Sequence, residues 1–398
     1  MDFYQQALKL HEQHHGKIEV ASKVTVETAD DLSVAYTPGV AEPCRQIARD
    51  KSEAYRYTAK GNLIAVVSNG TAVLGLGDIG PDAAMPVMEG KSILFKRFGG
   101  VDAFPVCIDA ATPEEVIETV KRLAPTFGGI NLEDIKSPDC FEIEETLERD
   151  LDIPVFHDDQ HGTAIVVTAA LMNALKVVGK DLSEVRIVLN GPGAAGTAII
   201  KMLLAAGAKH ILACDSKGIL SEKRPAGVTG HKLELAQLTN GQGLTGSLAD
   251  ALTGADVFIG VSKGNLLTAQ MIGTMAADPV VFAMANPTPE IGYDEALAAG
   301  VAVMGTGRSD HPNQINNLLA FPGIFKGALG VRSRDINSPM KVAAARAIAD
   351  LVTDQERSAA HVIPSALDPR VAESVARAVA RAAVETGVAR QPLPAEWA

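Results

Sequence analysis

The run Arg186-Ile-Val-Leu-Asn190, followed at once by Gly191-Pro192-Gly193-Ala194-Ala195-Gly196, limits what this chain can fold into more than any other stretch. A short β-type run enters a G-x-G-x-x-G turn, an apolar helical pattern follows over 197–206, and a second β-like run over 210–215 ends at Asp215. Glycines there permit the tight turn, the close approach of a pyrophosphate and the packing of helix on strand. The helix start offers free N–H groups and the positive end of its dipole to that pyrophosphate. The segment therefore predicts a doubly wound, Rossmann-like α/β domain that binds a dinucleotide through Asn190, Gly191, Gly193, Ala194, Ala195 and Gly196. Asp215 is placed to accept from the ribose hydroxyls. It favours NAD over NADP by repelling a 2′-phosphate, while Lys217, Lys223 and Arg224 follow closely enough to reverse that preference. Three further β-like runs, 256–261, 280–283 and 301–306, complete the sheet.

A second glycine run, Gly75-Leu-Gly77-Asp-Ile-Gly80, matches the same pattern without its context. Pro81 and Pro86 are expected to interrupt the helix that should follow, and the next strand-closing acid, Asp109, comes too late. These glycines read instead as places where backbone approaches a substrate. Just upstream, Asn69-Gly70 between two apolar runs predicts a hairpin. Over 86–98, Val87, Met88, Leu94 and Phe95 recur at helical spacing with Lys91 among them. Lys91 is either a solvated lysine or a base in a cleft, its pKa lowered by desolvation and a nearby cation.

Two apolar runs end in acids: Ile130-Asn131-Leu132-Glu133-Asp134, and Val155-Phe156-His157-Asp158-Asp159 leading into Gln160-His161-Gly162-Thr163. In an α/β protein that is the carboxyl edge of a sheet, where ligands bind. Carboxylates gathered there repel one another unless a cation compensates, and an all-oxygen set suits Mg²⁺ or Mn²⁺ better than Zn²⁺. A solvated acidic strand end is the plainer reading of either cluster alone. His157 and His161 have the i, i+4 spacing of a helical zinc motif, but Pro154 and the apolar run make His157 a strand end. His11, His14 and His15 lie at an exposed helix end without a protecting shell.

Near the start, 31–40 reads as a short β-like piece broken by Thr37-Pro38-Gly39. Tyr36 stands just before the turn, either half-buried or projecting its phenol. Asn286 and Asn317 follow late strands and can donate to a carboxylate or carboxamide, though asparagine is also an ordinary loop residue. The stretches 341–352 and 371–384 are Ala-rich packing helices.

A chain of 398 residues exceeds one ordinary core, so two domains are expected. A net charge of -12 with no basic run argues against nucleic acid. The four cysteines are scattered with no CxxC, as buried free thiols of a reducing compartment would be. The N-terminus lacks the basic flank and apolar core of a signal peptide, and no apolar run reaches membrane-spanning length, so a cytoplasmic location is expected.

Seven motifs occur in order: Tyr36-Thr-Pro-Gly39, Gly75-Leu-Gly-Asp-Ile-Gly80, Pro86-Val-Met-Glu-Gly-Lys91, Asn131-Leu-Glu133-Asp134, His157-Asp-Asp159-Gln-His-Gly-Thr163, Asn286-Pro-Thr288 and Asn316-Asn-Leu-Leu-Ala-Phe-Pro-Gly323. Together they resemble the malic enzymes. The resemblance implies an α/β catalytic domain built from both chain ends, 1–157 and 318–398, around a dinucleotide domain over 158–317. It implies oxidation of L-malate with NAD or NADP, then decarboxylation of oxaloacetate to pyruvate. On these positions Glu133, Asp134 and Asp159 would hold Mg²⁺ or Mn²⁺, Lys91 would take the hydroxyl proton, Tyr36 would protonate C3, and Asp158 would orient Lys91. Thr163 and Asn286 join the coenzyme set, and Lys91, Asn286 and Asn317 the substrate set. A homodimer is implied, with Tyr36 or Lys91 contributed across the interface.

One departure stands out. Larger malic enzymes place a substrate-binding arginine just before the G-L-G-D run, where this chain has Gly70-Thr71-Ala72-Val73, so Asn286, Asn317 or Arg308 must meet the C1 carboxylate. Two competing readings are a metal-dependent oxaloacetate decarboxylase without net redox chemistry, and a dinucleotide sensor with a degenerate catalytic half.

Overall fold

Two parallel sheets follow one another along the chain. The first joins β1 (Leu63–Ser68), β2 (Asp102–Cys107), β3 (Gly129–Leu132) and β4 (Val155–His157) in the order β2-β1-β3-β4. The second joins β5 (Arg186–Asn190), β6 (His210–Asp215), β7 (Gly218–Ile219), β8 (Val257–Gly260), β9 (Val280–Ala283) and β10 (Val303–Thr306) in the order β10-β9-β8-β5-β6-β7. Every pairing is parallel except β6 with the two-residue β7. The computed structural model describes residues 2–73, 75–224 and 227–397.

Helices cover both faces of these sheets, so the strands are unbroken apolar runs rather than alternating ones. Ile64, Ala65, Val66 and Val67 of β1 are all fully buried, as are the equivalents in β8 and β9. In each sheet the connections reverse beside a central strand: β1 has β2 on one side and β3 on the other, and β5 has β6 and β8. The carboxyl ends at such a reversal form a crevice, which places the sites before any side chain is considered.

The hairpin expected at Asn69-Gly70 does not form. Both edges of β1 are already paired in parallel with β2 and β3, so no antiparallel partner can join it. Gly70 (φ 71°) instead accepts from the N–H groups of Ile79 and Gly80, closing a loop over the sheet edge, and a Cβ there would lie 2.1 Å from the Gly80 oxygen. Leu74, within the run read as the second strand, lies outside the described residues. The following helix is Pro81–Leu94, five residues earlier than expected, and a π turn, Phe95–Gly99, extends it. Pro81 sits in the first turn, where a missing N–H costs nothing, and Pro86 is accommodated inside; the prolines do not interrupt the helix.

The β-like reading of 31–40 is also overturned. Thr28 and Asp31 form a reciprocal capping box, and Ala29–Ala35 is a helix. Two backbone donors satisfied at its start outweigh the β tendency of Val34 and Tyr36. Tyr36 ends that helix 67% exposed, not half-buried. None of the helices Phe3–His14, Ala29–Ala35 and Ala41–Arg49 contains a buried residue. Cys44, in the third of them, is exposed rather than a buried thiol, although all four cysteines are free.

After the second sheet the chain returns to the first. Phe321 and Phe325, on the helix Phe321–Gly330, pack on Phe95 with ring centroids 4.6 and 5.4 Å away, and Phe325 also meets Phe156 of β4. All four rings are fully buried, and each pair adds about 1 kcal/mol beyond area burial. The helices Ser338–Ala349 and Val371–Glu385 complete this layer. A long apolar helix starts at Asp158, directly after β4, and runs to Val178. It is the one helix among the described residues long and apolar enough to cross a membrane, but 67% of its most apolar window is buried against the rest of the chain.

Candidate active site

The early start of that helix matters, because it puts Asp158 and Asp159 in a first turn whose dipole favours negative charge. β3 ends beside β4, so Glu133 and Asp134 arrive at the same edge. Asp134 takes a left-handed backbone (φ 53°) and donates its N–H to Asp159 Oδ2 at 2.8 Å. Asn131 Nδ2 donates to Glu133 Oε2 at 2.8 Å. One carboxylate oxygen from each of Glu133, Asp134 and Asp159 then lies within 4.8 Å of the others.

Lys91 reaches this edge from the helix after β1. Its Nζ is 2.7 Å from Asp158 Oδ2 and 2.8 Å from Glu133 Oε1, and it lies 4.3 Å above the ring of Phe321. Burial works against the charge, but Asp158 and Glu133 outweigh it and raise the Lys91 pKa above the ordinary lysine value. The expected lowering needs a cation at the acids; Asp158 and Glu133 by themselves act in the opposite direction. Asp158 is pushed up to about 6 by burial, against the pull of Lys91. Burial likewise raises Glu133. Asn317 Nδ2 donates to Asp158 Oδ2, and Gly162 leaves room for the other oxygen, since a Cβ there would lie 1.9 Å from Oδ1. Lys91 thus pairs with two of four gathered acids, and the oxygen-only donor set of Glu133, Asp134 and Asp159 fits a hard divalent cation.

Tyr36 is not part of this constellation within one chain. Among the described residues no hydrogen bond or ring contact joins it to Lys91 or to the acids, and its ring stands in solvent. The two histidines serve another purpose. His161 Nε2 is 2.9 Å from Glu144 Oε2, and Glu144 also accepts from the His157 N–H at 2.7 Å and Gln160 Nε2 at 2.9 Å. Burial opposes the ionisation of Glu144, but His161 and Lys341 hold its pKa down to about 2. Glu144 thereby fixes the first turn of the helix that carries Asp158 and Asp159. Sequence reading missed it, although an acid beside Ile143 and Leu147 on the buried face of an amphipathic helix was the available signal.

At the reversal of the second sheet lies a cleft of about 930 Å³ lined by Asn190, Gly191, Gly193 and Asp215, together with Lys217, His231, Lys232 and Ser262. The glycines behave as the motif requires. A Cβ on Gly191 would lie 2.8 Å from the Val261 oxygen and one on Gly196 2.0 Å from the Gly191 oxygen, whereas Gly193 faces open space. Ala194, Ala195 and Gly196 form the first turn behind the loop. This arrangement fits a dinucleotide pyrophosphate. Thr163 and Asn286 do not line the cleft.

Asp215 departs from expectation. Instead of standing free for ribose hydroxyls, it is paired with Arg224 and Lys232; burial opposes its ionisation, yet Arg224, the Lys217 N–H and Lys232 hold its pKa down to about 2. Another buried acid, Glu290, accepts from the N–H groups of Ser262 and Ala285 and so ties the loops after β8 and β9. Asn286 follows the second of these loops. Its backbone oxygen lies 3.5 Å from where a Gly75 Cβ would be, so the loop after β1 meets the loop after β9. Ser137 and Pro138, just beyond the acids that follow β3, also line the dinucleotide cleft, so the two crevices adjoin. Arg308 is exposed and engaged with Asp310.

Residues 15–148 match the malic enzyme N-terminal domain and residues 160–384 match the malic enzyme NAD binding domain. The chain belongs to the malic enzyme family. It is 58% identical to a bifunctional malic/malolactic enzyme of Bacillus subtilis, over 98% of this chain and 95% of that one. It is 58% identical to an NAD-dependent malic enzyme of Geobacillus stearothermophilus, over 94% and 78% of the two chains. The crystal structure of a malic enzyme from Pyrococcus horikoshii superposes with a TM-score of 0.95 at 51% identity, covering 99% of this chain and 93% of that one. The malic enzyme fold inferred from seven short motifs is therefore present along nearly the whole chain.

Proposed function

We propose that this malic enzyme oxidises L-malate at C2 with NAD⁺ or NADP⁺ and releases pyruvate and CO₂ by decarboxylating oxaloacetate. The observation that carries this reading is Lys91, buried between Asp158 and Glu133 at the edge of the three-carboxylate cluster and opposite a dinucleotide cleft. Glu133, Asp134 and Asp159 would hold Mg²⁺ or Mn²⁺, which when bound would supply Lewis acidity to the substrate. With the charge of Glu133 taken up by a bound cation, Lys91 would stand as the free amine and accept the proton of the C2 hydroxyl, while Asp158, fixed by Asn317, keeps that amine in place. The second N–H of Asn317 and the amide of Asn286 meet the C1 carboxylate where larger relatives use arginine. The working units are 1–157 with 318–398, which carry Lys91, Glu133 and Asp134, and 158–317, which carries the coenzyme cleft and lends Asp158, Asp159 and Asn317 to the metal site.

Tyr36 protonates C3, and a partner subunit supplies it. This assignment rests on its exposure and on the unburied helices around it, which also expose Leu8, Leu10, Leu32 and Val34. Apolar residues so grouped suit a homodimer interface. Mixing Tyr36→Phe with Lys91→Ala, each inactive alone, is then expected to restore about a quarter of the wild-type rate, because half the dimers are mixed and each of those holds one intact site. Mixtures as inactive as the parents would place both residues in the same subunit.

The partners are small molecules, in a cytoplasmic enzyme with no nucleic-acid or membrane role. The competing oxaloacetate decarboxylase has no use for a built dinucleotide cleft. L-malate and Mn²⁺ are expected to drive steady NAD(P)H formation that a chelator stops; pyruvate from oxaloacetate without malate-dependent reduction would reject the proposal.

A further inference from the structure

The acceptor positions of Asp215 are filled by the protein itself. Oδ1 accepts from the Lys217 N–H at 2.9 Å and Arg224 Nη1 at 2.8 Å, while Oδ2 accepts from Arg224 Nη2 at 3.2 Å and Lys232 Nζ at 3.0 Å. A carboxylate has about four lone-pair positions, so a ribose hydroxyl finds none vacant. A neutral hydroxyl that displaced one of these donors would exchange a charge-assisted bond for a weaker one.

The donors differ in freedom. The Arg224 side chain is 11% exposed and grips Asp215 with both terminal nitrogens, whereas that of Lys232 is 37% exposed. Lys232 is the second residue of the helix His231–Thr239, whose start has no side-chain cap. His231 Nε2 donates to the Pro192 carbonyl at 2.9 Å, tying that helix start to the glycine loop. Lys217 also lines the cleft and makes no ion pair among the described residues. The corner thus gathers three cationic side chains and an uncapped helix start around one carboxylate, whose charge Arg224 alone can balance.

We propose that this corner is a subsite for a phosphate on the adenosine 2′-oxygen, so that the chain takes NADP⁺ in preference to NAD⁺. Lys232 leaves Asp215 for the phosphate, Lys217 joins it, and Arg224 stays on Asp215 to cancel its repulsion. The inference rests on the reading of the cleft as a dinucleotide site and specifies which dinucleotide that site takes.

Calorimetric titration of the wild-type protein with 2′,5′-ADP and with 5′-AMP tests it without turnover. The 2′-phosphorylated nucleotide is expected to bind about tenfold more tightly, the size of one or two charge-assisted contacts. Lys232→Gln, which keeps the reach and removes the charge, is expected to erase most of that ratio and to lower the NADP⁺/NAD⁺ ratio of kcat/KM about tenfold. Equal or tighter binding of 5′-AMP, or ratios unmoved by Lys232→Gln, would overturn the proposal while leaving the coenzyme cleft standing. Failure of both nucleotides to bind would overturn the cleft reading with it.

Discussion

Lys91→Ala is expected to lower kcat for malate oxidation by about 10³-fold, the usual worth of a positioned general base, while binding of adenine nucleotides is retained. The reason lies in its surroundings. Its Nζ touches two acids and a ring face, so it has neither room nor partners for a purely structural surface role. Removing the ammonium also leaves Asp158 and Glu133 facing one another without compensation, so the alanine variant loses stability as well. Lys91→Arg separates the two effects: it keeps the charge between the acids but does not give up its proton near neutral pH. A folded arginine variant without oxidative activity supports proton acceptance by Lys91. Substantial turnover in that variant would assign the step elsewhere.

The second large effect concerns stability. Glu144 is 4% exposed and holds three donors from the β4 end and the helix that follows it. Glu144→Ala leaves those donors unpaired in the interior and is expected to cost about 3 kcal/mol in urea unfolding at neutral pH. The pH dependence has a defined sign. The folded-state pKa of about 2 lies below the ordinary value of 4.5, so the contribution of Glu144 is complete above 4.5 and is lost as the pH falls toward 2. The stability gap between wild type and Glu144→Gln should therefore narrow across that window. A gap that stays constant through acid would remove ionised Glu144 as the source.

These residues also show where sequence reading stops. The strands were legible because a sheet covered on both faces needs continuous apolar runs, and the acids at their ends were legible because strand ends are where ligands sit. The hairpin at Asn69-Gly70 failed because a local turn signal carries no information about β2 and β3 already occupying both edges of β1. Ala29–Ala35 failed because a reciprocal cap at Thr28 and Asp31 outranked β-type composition. The ion pair of Lys91 was hidden because Asp158 lies 67 residues away in sequence. Asp215 was read as a free acceptor because Lys232, one of the donors that fill it, stands 17 residues downstream with no motif to announce it. Spacing identifies a carboxylate, whereas its charge state and vacancy depend on partners that only the fold brings near.

Phe321, the floor beneath Lys91, has a consequence for biosynthesis. The first sheet and its acids are translated early, yet the ring against which the lysine rests, and Asn317 on Asp158, come late in the chain. A nascent polypeptide can assemble both sheets and still leave its reactive amine on an unfinished surface. Competence therefore waits for residues 317–321 rather than arriving with the catalytic sheet, and fragments released before residue 321 carry the acids without the means to use them.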